Sequence, residues 1–151
     1  MLDELKKTMK KGMKDNIERK QPSINDVVFH EGMPLFSFIE LNINEICNRR
    51  CPFCPRVDPE IYPNQNIHMD MKTVKTIAEQ LNDLGFTGIV NISGTGEPLL
   101  TKYIVDIVRE FGKQGIHVEI VTNGDVLRRK RGSQLIKDLY EAGLQQFVVS
   151  M

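Results

Sequence analysis

The period of apolar positions changes several times along the chain, and each change marks an element. Leu2, Leu5, Met9, Met13 and Ile17 recur at helical spacing in residues 1–20, a stretch with seven Lys or Arg against four Asp or Glu. This reads as an amphipathic helix packed on the body of the protein or on a partner. Residues 21–34 show no period and are expected to form an irregular connector. From residue 37 the period is two, with Ile39, Leu41 and Ile43 on one side and Glu40 and Asn42 on the other, as a strand requires. A Pro- and Asn-rich loop fills residues 58–68. Asp70 then stands as an N-cap before a helix spaced by Met71, Val74, Ile77, Leu81 and Leu84, with Gly85 placed to end it.

The same unit repeats downstream. A strand over residues 88–93 leads to a helix carrying Ile104, Ile107, Val108 and Phe111, closed near residues 112–115. A strand over 117–122 leads to a helix carrying Leu135, Ile136, Leu139 and Tyr140, capped by Ser133, ended by Gly143 and followed by a strand over 146–151. Gly85, Gly115 and Gly143 recur about every 30 residues, as a repeated strand–helix unit requires. Alternation of strand and helix implies parallel strands joined by right-handed crossovers. The expected fold is α/β, a partial (β/α) barrel truncated to about (βα)3β, with residues 1–34 as an N-terminal helix and connector and 35–151 as the core.

Composition narrows the function classes. The 151 residues are 40% hydrophobic and 26% charged, with 20 basic against 20 acidic side chains, so the balance argues against a general binder of nucleic acid. No apolar run approaches the roughly 20 residues that span a bilayer, and no secretory signal is visible, so the expectation is a cytoplasmic protein away from membranes. The three cysteines all lie within eight residues, which points to metal or redox chemistry rather than a disulfide framework.

Parallel βα folds place their sites at the C-terminal ends of the strands. There the sequence puts Cys47, Cys51 and Cys54 after the first strand, Ser93-Gly94-Thr95-Gly96-Glu97-Pro98 after the second, Thr122-Asn123-Gly124 after the third and Ser150 after the fourth. Cys-x3-Cys-x2-Cys lets one loop wrap a [4Fe–4S] cluster with one iron left open. Other readings are a zinc site with His68 as fourth ligand, free thiols, a disulfide with one cysteine over, or an iron–sulfur electron-transfer module. Arg49, Arg50 and Arg56 flank the cysteines, to favour thiolates and tune a cluster or to face solvent. The basic run Arg128 to Arg131 reads as a solvated face.

Cys47 to Cys54 resembles the cluster-binding signature of the radical S-adenosylmethionine superfamily. The resemblance implies an enzyme whose open iron chelates the methionine part of S-adenosyl-L-methionine. An electron from the cluster then cleaves the C5′–S bond, and the 5′-deoxyadenosyl radical abstracts hydrogen from a substrate. It implies cofactor contacts at Phe53 (near the adenine), at Thr95, Gly96 and Glu97 (the methionine ammonium group), at Asn123 (ribose or carboxylate) and at Ser150 (ribose). It also implies an electron donor such as flavodoxin or ferredoxin, and a substrate that is a peptide, a sugar or a small metabolite. The family core has six strands and this chain offers four, so it is expected to be part of a longer protein. The phrasing Cys-Pro-Phe-Cys-Pro-Arg resembles members with a C-terminal SPASM-type auxiliary cluster domain.

Overall fold

The structure, a computed structural model, describes residues 27–150. The helix expected over residues 1–20 lies outside them, as does Met151. The described chain opens with a small antiparallel hairpin, β1 (Phe29–His30) and β2 (Met33–Pro34), where an irregular connector was expected. Its turn places Glu31 and Gly32 at φ 49° and 82°, the mirror-image geometry that suits the twist of a two-residue hairpin. Strands of two residues are too short to show a period, so the pattern could not reveal them.

The main sheet holds β3 (Phe38–Leu41), β4 (Ile89–Ile92), β5 (His117–Thr122) and β6 (Leu144–Val149), all parallel and in that order. The crossovers carry α1 (Met71–Asp83), α2 (Ile104–Lys113) and α3 (Gly132–Glu141). Strands adjacent in sequence are adjacent in the sheet, so crossovers of one hand lay all three helices on one face. That face buries the core: Val74 and Leu81 of α1, Ile107, Val108 and Phe111 of α2, and Leu139 of α3 against Leu41, Val90, Ile92, Val118 and Ile120. The opposite face carries a polar rung between apolar ones. Glu40, Asn91, Glu119 and Gln146 share one rung across four strands, and the buried Asn91 amide donates to the Glu119 carboxylate.

The helix ends follow local chemistry. The Asp70 side chain accepts from the Thr73 N–H at 2.9 Å and caps α1. At its far end Gly85 takes φ 68°, so that the Phe86 N–H reaches the Leu81 carbonyl and the Gly85 N–H that of Asn82, both at 2.9 Å. Gly115 ends α2 in the same way. The start of α3 differs from expectation: Ser133 lies inside the helix and Arg131 stands at the cap without a side-chain bond. Gly132 is pressed on the preceding turn, where an added Cβ would lie 1.8 Å from the Leu127 carbonyl oxygen. The turn thus runs straight into the helix and leaves no separate cap. The last strand begins at Leu144, two residues before its expected start, because a register irregularity beside Val118 lets the buried Leu144 pair as well.

Candidate cofactor site

Beyond β3 the chain keeps pairing. Residues 43–47 run antiparallel to residues 64–69, with the Met69 N–H on the Ile43 carbonyl at 2.9 Å and the Glu45 N–H on the Ile67 carbonyl at 3.0 Å. At Cys47 a side chain takes over the ladder. Asn64 Oδ1 accepts from the Cys47 N–H and Asn64 Nδ2 donates to the Cys47 carbonyl, each at 2.9 Å. The Pro- and Asn-rich loop therefore fixes the backbone of the first cysteine. The chain then turns through Cys51 and Cys54 into one 3-10 turn, Pro55–Val57, with the Cys54 N–H on the Cys51 carbonyl at 3.0 Å.

All three cysteines are free thiols, each half-buried, and Phe53 beside them is 82% exposed. Among the described residues no three His, Cys, Asp or Glu side chains converge as a single ion needs. His68 is turned away, with Nε2 on Asn66 at 3.0 Å and Nδ1 3.4 Å from the Thr101 hydroxyl, so the zinc reading lacks its fourth ligand. A cubane cluster spreads three thiolates over three different irons, and a donor set carried on one open loop fits that chemistry.

Arg56 is the residue whose environment the sequence could not suggest. Its side chain is 2% exposed, against the expectation that it would face solvent or the thiols. Nε donates to the Thr95 carbonyl at 2.6 Å, one terminal nitrogen to the Pro63 carbonyl (3.2 Å) and Asn64 Oδ1 (3.0 Å), and the other to Glu45 at 2.8 Å. The Tyr62 ring lies 4.8 Å from the guanidinium carbon, and its hydroxyl donates to Glu45 and lies 3.1 Å from the Thr95 hydroxyl. A planar fork reaching this many acceptors locks the cluster loop to the end of β4.

The end of β4 packs tightly on the extension of β3. A Cβ on Gly96 would lie 2.1 Å from Asn44 Oδ1 and 2.2 Å from its carbonyl oxygen, so this glycine is required by close approach of the two chains. The buried Asn44 amide donates to the Glu97 carbonyl at 2.9 Å and the Thr101 hydroxyl at 2.7 Å. Glu97 is 3% exposed. Its carboxylate accepts from the Leu99 N–H (3.1 Å), the Thr122 hydroxyl (2.5 Å) and the Asn123 N–H (2.8 Å). The structure thus places this carboxylate inward, capping the turn Pro98–Leu100 and tying β4 to the end of β5, while Thr95 and Gly96 stay half-buried at the rim.

The end of β5 meets the cluster loop directly. The Asn123 amide donates to Asn48 Oδ1 at 2.9 Å and points at the Cys47 sulfur at 3.9 Å. Asp125 receives Arg49 in a fork, Nε at 2.8 Å and a terminal nitrogen at 2.6 Å, together with the Asn48 amide at 3.0 Å. The guanidinium bonded to it holds the Asp125 carboxyl below the ordinary carboxylate range, and that same bond raises Arg49. Ser150 is exposed one strand further on, its N–H on the Thr122 carbonyl at 2.8 Å. Arg128, Arg129, Lys130 and Arg131 are all exposed, as expected of a solvated run.

Comparison with known proteins places these features. The sequence model described as the Radical SAM superfamily matches residues 41–151. The S-adenosyl-L-methionine-dependent 2-deoxy-scyllo-inosamine dehydrogenase of Niallia circulans is 37% identical over 119 residues, covering 77% of this chain and 45% of that protein. The GTP 3',8-cyclase of Lactiplantibacillus plantarum is 35% identical over 120 residues, covering 78% of this chain and 34% of the cyclase. The crystal structure of BtrN in complex with AdoMet and 2-DOIA superposes with a TM-score of 0.68 at 35% identity, covering 76% of this chain and 45% of that one. The chain thus spans less than half the length of these relatives.

Proposed function

The chain belongs to the radical S-adenosylmethionine superfamily, and we propose on that footing that Cys47, Cys51 and Cys54 hold a [4Fe–4S] cluster beside which the strand ends receive S-adenosyl-L-methionine. The observation that carries the reading is the set of three free thiols on one loop, braced by residues from the ends of β4 and β5. When bound, the cluster and the cofactor supply reductive cleavage to a 5′-deoxyadenosyl radical, which takes a hydrogen atom from substrate.

The chain's own residues bind and orient. Phe53, exposed next to Cys54, offers its ring to the adenine. The Thr95 carbonyl is occupied by Arg56 and the Glu97 carboxylate by three internal donors. A carbonyl and a carboxylate each keep a further lone pair, so the methionine ammonium group meets Thr95, Gly96 and Glu97 together. Asn123 Oδ1 keeps a lone pair for the ribose, and Ser150 presents its hydroxyl to the ribose beside it. Among the described residues no helix is long and apolar enough to cross a membrane, and we place the protein in the cytoplasm, served by a donor such as flavodoxin or ferredoxin. Residues 35–151 form the core and 1–34 an N-terminal extension. Among the substrate classes a small metabolite is favoured, since a relative at 37% identity is a 2-deoxy-scyllo-inosamine dehydrogenase.

Anaerobic reconstitution tests the reading. The expected result is a reduced cluster whose EPR signal changes when S-adenosyl-L-methionine is added, with 5′-deoxyadenosine formed by the protein. A cluster that ignores the cofactor would instead mark an iron–sulfur electron-transfer module, and stoichiometric zinc without iron or sulfide would overturn both.

A further inference from the structure

The first residues after Cys47 are held to a different strand. Asn48 and Arg49 reach across to Asn123 and Asp125, more than 70 residues away in sequence, through four side-chain bonds. Two of these form a planar fork on one carboxylate, which fixes orientation as well as distance. Asn123 is in turn held by the Asp125 N–H on its Oδ1 at 3.0 Å. The consequence falls on a single thiol. The Arg49 N–H lies 3.5 Å from the Cys47 sulfur and the Asn123 amide 3.9 Å, and no such donor faces Cys51 or Cys54 among the described residues.

We propose that Arg49 and Asp125 are positioning residues: their forked pair, with Asn48 and Asn123 crossed beside it, latches the cluster loop to the end of β5 and holds two N–H donors on the Cys47 sulfur. The latch rests on the reading of the three cysteines as cluster ligands, and its effect is electronic. Hydrogen bonds to a ligating sulfur stabilise the reduced, more negative cluster and raise its potential. The latch thus sets how readily the cluster accepts an electron, through a pair of residues other than its ligands.

A simple charge effect makes different predictions. Removing the Arg49 cation would lower the cluster potential, and removing the Asp125 anion would raise it. A latch predicts that both lower it, because either loss breaks the fork, leaves the crossing to the asparagine bonds alone and so slackens the donors on Cys47. The double variant should then shift no further than either single one. Arg49→Lys keeps the charge but not the fork, so it should behave like Arg49→Ala.

The experiment is a redox titration, followed by EPR, of the reconstituted protein as wild type, Arg49→Ala, Arg49→Lys, Asp125→Ala and the double variant, with iron content and circular dichroism on each. Shifts of one sign with no additivity are expected. Loss of iron from both single variants with unchanged circular dichroism would support the latch equally. Shifts of opposite sign, a wild-type potential in Arg49→Lys, or unchanged potentials would overturn it. A wild-type protein that assembles no cluster would instead sink the assignment of the cysteines.

Discussion

At Glu97 a carboxylate that is 3% exposed accepts from Leu99, Thr122 and Asn123, and truncating it strands three donors in the interior. Bonds to a charged acceptor are among the stronger ones, so Glu97→Ala should lower stability by about 3 kcal/mol in urea unfolding. Glu97→Gln should cost less, since its one remaining oxygen can serve part of the set. A side chain whose task was only to meet the cofactor would show neither loss. Asp70 gives a second test at this scale. The Thr73 N–H, and then its hydroxyl, hold the Asp70 carboxyl below the ordinary carboxylate range. A group whose folded value is depressed stabilises above its unfolded value, near pH ~4, and that contribution fades as the pH falls through the folded value. Thermal melting should show the wild type exceeding Asp70→Ala at neutral pH, with the gap closing below about pH 4. The cap was legible because an N-cap is a local relation between neighbours. The inward turn of Glu97 was not, because it depends on where Thr122 and Asn123 arrive.

Among the elements, glycines separate local from tertiary demands. Gly85 has positive φ and open space around its Cβ position, so Gly85→Ala meets only backbone strain and should cost about 1 kcal/mol. Gly132 lies buried on the Leu127 carbonyl, and Gly132→Ala must push the turn and α3 apart, at about 1–3 kcal/mol. Denaturant midpoints of the two variants should fall in that order. The helices and the four parallel strands could be read from the chain because period and terminating glycine are written in each segment. Where a boundary depended on a neighbour, the pattern failed. The early start of β6 needs the irregularity beside Val118, and the absence of a Ser133 cap needs the packing of Gly132. The cysteine triplet was legible by spacing alone, whereas Asn64 and Asp125 sit in loops whose partners no period reveals.

For the molecule as a whole, the strand ends are joined by side chains as well as by backbone bonds such as the Glu97 N–H on the Ile46 carbonyl. Asn44 and Glu97 tie β3 to β4 and β4 to β5, and Arg56 ties the cluster loop to both the Asn64 loop and the Thr95 carbonyl. Arg56 is nearly closed off while its partner Glu45 stays 30% exposed, so the two ends of this pair differ in what their loss does. Without Arg56 the Glu45 carboxylate can rehydrate, but the Thr95 and Pro63 carbonyls lose their donor together. Arg56→Ala should therefore loosen two loops at once while the helices hold. In native-state hydrogen exchange the amides of Cys54, Val57 and Glu97 should exchange about a hundredfold faster, the equivalent of about 3 kcal/mol of lost protection. Amides of α2, packed on the hydrophobic core, should follow only the smaller change in global stability. Arg56→Lys keeps the charge opposite Glu45 but cannot reach three carbonyl and amide acceptors, so its exchange should fall between the two. Faster exchange confined to the cluster loop, with Glu97 unchanged, would mean that β4 holds its own end and that Arg56 serves only the cysteines.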